Sequence, residues 1–77
     1  IYPNPNKGEF TVSLSSSSNK DINVEVYDIR GRSILNNTYN STSNFNQAIN
    51  LNNVQSGMYL VKVTDGERQT IKKIVVE

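Results

Sequence analysis

Three stretches of this chain alternate apolar and polar residues with a period of two: Phe10, Val12 and Leu14; Ile22, Val24 and Val26; Tyr59, Val61 and Val63. Period two sends successive side chains to opposite faces of an extended backbone, so each stretch reads as a strand with one face buried. Composition agrees. Ala occurs once, at Ala48, Leu four times, and Val, Ile and Thr fill 20 of the 77 positions. β-Branched residues fit a pleated surface and lose side-chain freedom in a helix.

Turn chemistry separates the strands. Pro3 and Pro5 exclude a helix at the start, and Asn6-Lys7-Gly8 reads as a turn leading into Glu9–Leu14. Ser15 to Lys20 is a polar loop. Asp28-Ile29-Arg30-Gly31 joins the Asp21–Asp28 strand to a returning strand over 32–39, with Gly31 at a position that wants positive φ. The middle of Asn36–Asn46, rich in Asn, Ser and Thr, reads as loop. Phe45, Ile49 and Leu51 then share one face around Gln47. Asn52 to Gly57 is too short for a stable helix and predicts one 3₁₀ turn that tucks Val54 under the core and closes at Gly57. Asp65-Gly66 fits the centre of a type I′ hairpin before the last strand, Glu67 to Val76. The four glycines, Gly8, Gly31, Gly57 and Gly66, are thus all accounted for by turns. Six or seven short strands without a helix predict a small antiparallel β-sandwich. Its core is expected to hold Phe10, Val12, Leu14, Ile22, Val24, Val26, Ile49, Leu51, Tyr59, Val61 and Val63.

Several classes of function are excluded by what is missing. The chain has no His, Cys or Trp, which removes imidazole catalysis, thiol nucleophiles, disulfides and most zinc or iron sites. A net charge of +1 gives no footprint for a nucleic acid. No apolar run approaches the roughly 20 residues of a membrane-spanning helix, so no direct insertion into a bilayer is expected. Asp21, Asp28, Asp65 and Glu67 sit on separate loops and lack calcium-ligand spacing, so neither metal nor cofactor is expected. Asn36-Asn37-Thr38 and Asn40-Ser41-Thr42 match the glycosylation sequon, in a segment rich enough in these residues to produce it by chance. With 77 residues and an Ile at position 1, the chain reads as a single domain cut from a larger protein.

Two groups of side chains remain as binding candidates. Tyr2, Tyr27, Tyr39 and Tyr59 suggest an aromatic platform for sugar, although Tyr59 lies on an inward face and Tyr27 and Tyr39 on the first hairpin suit an ordinary cross-strand pair. Lys72-Lys73 in the last strand suits either recognition or protection of an edge strand against sheet-to-sheet association.

Four stretches in this order carry a family resemblance. They are Tyr2-Pro3-Asn4-Pro5 with Gly8, Val26-Tyr27-Asp28 with Gly31-Arg32, Ser56-Gly57-Met58-Tyr59, and Lys72-Lys73-Ile74-Val75-Val76. The set resembles the C-terminal sorting domain (type A) of the bacterial type IX secretion system, over the whole chain. The resemblance implies an immunoglobulin-like sandwich without catalytic activity, at the end of a cargo protein of a Gram-negative bacterium. It implies transit through the periplasm, recognition by the type IX outer-membrane translocon, and removal by a sortase as the cargo is released or anchored at the cell surface. The terminal residues Lys72, Lys73, Ile74, Val75 and Val76, and the segment Pro3, Asn4 and Pro5, are the recognition candidates. An exposed last strand suits reading through its backbone, with lysine adding charge complementarity. The alternative is an accessory immunoglobulin-like module that binds polysaccharide or acts as a spacer in an extracellular enzyme. Neither reading fixes an oligomeric state.

Overall fold

The computed structural model describes residues 1–2, 7–15, 19–52 and 54–77. Six strands follow one another: β1 (Glu9–Ser15), β2 (Ile22–Asp28), β3 (Ser33–Tyr39), β4 (Asn44–Asn50), β5 (Gly57–Asp65) and β6 (Arg68–Val76). They form a two-stranded sheet, β1-β4, and a four-stranded sheet in the order β3-β2-β5-β6, antiparallel throughout. The expected all-β sandwich is what folds.

The alternation read from the sequence sets the core. Phe10, Val12, Phe45 and Ile49 from the small sheet meet Ile22, Val24, Val26, Tyr59, Val61, Val63, Ile74 and Val76 from the large one, and Leu51 closes the end. Ten of the eleven residues expected inside are buried, and Leu14 is half-buried against the same cluster. A bulge between Val26 and Tyr27 shifts the register from Leu35 to Ser33. The extra residue lets Ile34 and Leu35, neighbours in sequence, both pack on the core.

Two local expectations are corrected. The last hairpin pairs Asp65 with Arg68, so its two central residues are Gly66, at φ 64°, and Glu67, one position beyond the Asp65-Gly66 centre read from the sequence. The cause is the alternation itself: Asp65 follows Tyr59, Val61 and Val63 inward, pairs with Ile22, and is buried. The connector from β4 to β5 shows a turn at Asn52 and a bend at Ser56; the 3₁₀ turn expected there runs through Asn53, which lies outside the described residues. The connector is held by partners outside itself. The Leu51 N–H donates to the Gly8 carbonyl at 2.7 Å. The Tyr59 hydroxyl donates to the Gln55 carbonyl at 2.6 Å, within the same end of the sandwich. Val54 packs against the core and Gly57 has positive φ, as expected. Finally, Tyr27 and Tyr39 are not a cross-strand pair. Tyr27 lies opposite Ser33 and Tyr39 opposite Ile22, at the two ends of the hairpin. Tyr39 stacks at a tilt on Phe45, with ring centres 5.6 Å apart.

A candidate recognition surface at the last strand

Most of the motif residues meet at one end of the sandwich. Gly57 pairs with Val76, the Gly8 carbonyl binds Leu51 beside Val54, and the β2–β3 turn stands across a cleft of about 370 Å³ from Val54–Tyr59. Arg30, Arg32 and Ile34 line the other wall of this cleft. Pro3, Asn4 and Pro5, recognition candidates from the sequence, lie outside the described residues.

Asp28 organises the turn. One carboxylate oxygen accepts the backbone N–H groups of Arg30 and Arg32, each at 2.9 Å, and the other accepts from Arg32 Nε at 3.2 Å. The main chain closes the same loop through Gly31 N–H to Asp28 O and Asp28 N–H to Arg32 O, both 3.0 Å, with Gly31 at φ 85°. The carboxyl is held below its ordinary value of 3.8, first by the Arg32 backbone N–H, while burial works the other way. A depressed folded-state value contributes stability that is complete above the unfolded value and is lost as pH falls through the folded one. Asp28→Ala is therefore expected to lower the melting temperature at neutral pH, and its gap from the wild type should narrow as the pH falls below the ordinary carboxyl value of about 4. Thermal melts across that range check it; a gap that stays constant would assign the loss to packing.

The terminal candidates separate once the register is known. Ile74 and Val76 face inward, at 0% and 4% exposure, and are core residues. Lys72 lies opposite Val61, on the inward-facing row, while Lys73 lies opposite Leu60, on the outer face. Both lysines are exposed. Lys72 reaches solvent because the small sheet does not extend over this part of β6, where every residue from Arg68 to Lys73 is exposed. β6 is also an edge strand. Among the described strands it is the outermost of its sheet, with the side chains from Arg68 to Lys72 exposed.

The sequence reading missed the outer-face residues Met58, Leu60 and Ile71, which are exposed. Their signal was present as apolar residues on both parities of one strand, as in Met58-Tyr59-Leu60-Val61. Around them, Tyr27 donates its hydroxyl to Glu25, and that bond is the first reason its phenol is held above the ordinary value of 10.0.

A family model described as the secretion system C-terminal sorting domain matches residues 1–77. The chain is also 30% identical over 78 aligned residues to an endo-acting ulvan lyase of Formosa agariphila, covering all of this chain and 14% of that protein. Matched over its whole length, the chain belongs to the family of type IX secretion C-terminal sorting domains, the signals that direct proteins to the cell surface or beyond it.

Proposed function

We propose that this domain acts as a folded address at the end of a larger cargo protein. It crosses the periplasm with that cargo, is read by the type IX outer-membrane translocon, and is removed by the sortase as the cargo is released or anchored. The domain itself catalyses nothing and needs no cofactor. The observation that carries recognition is the exposure of β6 from Arg68 to Lys72, in the outermost of the described strands of the large sheet. Pairing through the backbone of an edge strand tolerates variation in the neighbouring side chains, which suits a label read on many cargoes. The lyase relative, of which the matching region is a small part, fits a domain appended to a larger enzyme.

The polysaccharide-module alternative finds less support. Tyr59 is buried, Tyr39 packs on Phe45 and Tyr27 is half-buried against Glu25, leaving Tyr2 as the exposed tyrosine. A reporter carrying an N-terminal export signal and residues 1–77 at its C-terminus tests the proposal in a host with type IX machinery. The reporter is expected outside the cell or on its surface. Accumulation in the periplasm with a folded domain would overturn it.

A further inference from the structure

We infer that the cleft between the β2–β3 turn and Val54–Tyr59 receives an acidic side chain of a partner protein, whose carboxylate is held by Arg30 and Arg32. The ligand chemistry follows from the cleft itself; that the partner belongs to the export machinery rests on the sorting-domain reading. Three charged residues line the cleft, Asp28, Arg30 and Arg32, so its lining is positive on balance. The carboxylate among them is already engaged. Its Oδ1 accepts the backbone N–H groups of Arg30 and Arg32, and its Oδ2 accepts from Arg32 Nε. Arg32 thereby keeps the donors of its terminal nitrogens for a further acceptor. Arg30 is tied to the turn through its backbone alone. Its side chain is exposed, and among the described residues its guanidinium has neither a hydrogen bond nor an ion pair. Glu77 follows Val76, which pairs with Gly57 at this end, and among the described residues it makes no ion pair with either arginine.

A single unpaired arginine is ordinary on a surface loop. Arg30 differs in its setting, because it stands on a closed turn. Asp28 binds the backbone on both sides of it, with Gly31 N–H donating to Asp28 O and Asp28 N–H to Arg32 O, both at 3.0 Å. The facing wall is held as well, by the Tyr59 hydroxyl on the Gln55 carbonyl at 2.6 Å. Both walls are therefore set before a ligand arrives, which lowers the ordering cost of binding. The space beside them is open: an added Cβ at Gly31 or at Gly57 would meet nothing within 4 Å. Around the guanidinium groups the lining is apolar. Ile34 and Val54 are half-buried, and Ile29 and Met58 are exposed at 71% and 46%. An apolar surround keeps water away from a charge-assisted hydrogen bond and so strengthens it.

Charge and surroundings choose the occupant. A guanidinium presents a planar fork of donors that matches a carboxylate. A cation is repelled by a lining that is positive on balance. A nucleic acid finds no basic track to follow, since the chain carries a net charge of +1. A sugar acid would set its hydroxyl groups against Ile34, Val54 and Met58, which offer them no hydrogen bond. A second copy could supply Asp21 or Glu67, exposed at the other end of the sandwich, but only head to tail, a contact that builds rings or filaments. An acidic side chain with apolar neighbours on a partner protein satisfies both the guanidinium groups and the surface around them.

The first test is binding by the 77-residue chain, isotope-labelled for nuclear magnetic resonance. The probe is a capped peptide, serine-valine-glutamate-valine-serine, at millimolar concentration, compared with its glutamine twin and with glucuronate. The glutamate peptide is expected to shift the Nε–H signals of Arg30 and Arg32 and the amide signals of Ser56, Gly57 and Met58. Arg30→Gln keeps the backbone N–H bonded to Asp28 and should weaken binding about tenfold, as should the glutamine twin, by loss of a charge-assisted pair. Lys20→Gln removes the same charge at the far end of the sandwich and should stay within about twofold. The second test is export of the reporter fusion. Arg30→Glu, shown to be folded by circular dichroism, is expected to lower export about tenfold or more, as at the centre of an interface, while Lys20→Glu stays within about twofold. Sedimentation of the chain should show a monomer. The proposal is overturned by an absence of shifts at the cleft, by equal binding of the glutamine peptide or of glucuronate, or by equal losses for Arg30→Gln and Lys20→Gln. Self-association that Arg30→Glu abolishes, or normal export by folded Arg30→Glu, would overturn it too. If the unmodified fusion stays in the periplasm while the cleft binds the glutamate peptide, the sorting reading fails and the ligand chemistry stands.

Discussion

Deletion of residues 74–77 is expected to unfold the domain. It removes Ile74 and Val76, two core side chains with almost no exposure. Each large-to-small core change costs about 2–5 kcal/mol, whereas a chain of this size holds only about 0.05–0.15 kcal/mol of stability per residue. Far-ultraviolet circular dichroism of the truncated chain should lose the cooperative melt, and the reporter should fail to leave the cell. A truncated domain that melts like the intact one would show that β6 contributes little to the core. The expected result has a consequence for how secretion experiments are interpreted. Loss of export on trimming the C-terminus reports folding first, so direct recognition has to be sought through exposed positions such as Lys73 and Ile71, where substitution leaves the core intact.

The second large effect is at Gly8. This residue is buried at φ 101°, a conformation that side chains rarely adopt. A Cβ there would meet the Leu51 carbonyl oxygen at 3.1 Å and Val54 Cγ2 at 3.9 Å. Leu51 cannot withdraw easily, because its N–H is bound to the Gly8 carbonyl at 2.7 Å. Gly8→Val therefore combines backbone strain with overpacking, about 3–5 kcal/mol together. Gly57 provides the comparison. It sits at φ 152° with nothing within 4 Å of its would-be Cβ, so Gly57→Val incurs the strain alone, about 1–3 kcal/mol. Chemical denaturation of the two variants should rank Gly8→Val as the more destabilising. Equal losses would mean that the Leu51 contact relaxes freely.

The difference between Gly8 and Gly57 also shows what could be read from the chain and what could not. Both glycines are visible as turn positions, because turn chemistry is local. That Gly8 abuts Leu51, some forty residues away, is a product of β1 pairing with β4 and has no local signature. The same division runs through the core. Phe10, Val12 and the β2 and β5 valines announce themselves by strict alternation. Ile74 and Val76 are hidden in the unbroken run Ile74-Val75-Val76, where nothing local says which parity faces in; pairing with Tyr59 and Gly57 decides it. Phe45 lies beside the half-buried Gln47, which obscures the period of β4.

The candidate recognition surface was legible only in part for the same reason. Lys72-Lys73 stands out as a pair in the sequence, yet adjacent residues on a strand point to opposite sides, so the pair dissolves into two environments on folding. Leu60 and Ile71 come together through the β5–β6 hairpin. The Gly31 turn was evident from its glycine, whereas the threefold use of the Asp28 carboxylate depends on the path of the backbone around it.

The separation of β1 and β6 into different sheets has a mechanical consequence. Tyr2 is bridged to Thr11 of β1 by backbone bonds of 3.1 and 2.7 Å, so the chain enters through the small sheet, whereas β6 belongs to the large one. A pull between the N-terminal entry and a partner gripping β6 would run from one sheet to the other. Between the two sheets the described strands form no ladder of hydrogen bonds, and among the described residues the load falls on the apolar interface. Such an interface is held by non-directional burial. It yields by separation of the two layers, while each sheet keeps its own internal pairing. The direction of tension on the domain, along β6 or across the sandwich, therefore determines whether it stays whole under load or opens between its sheets.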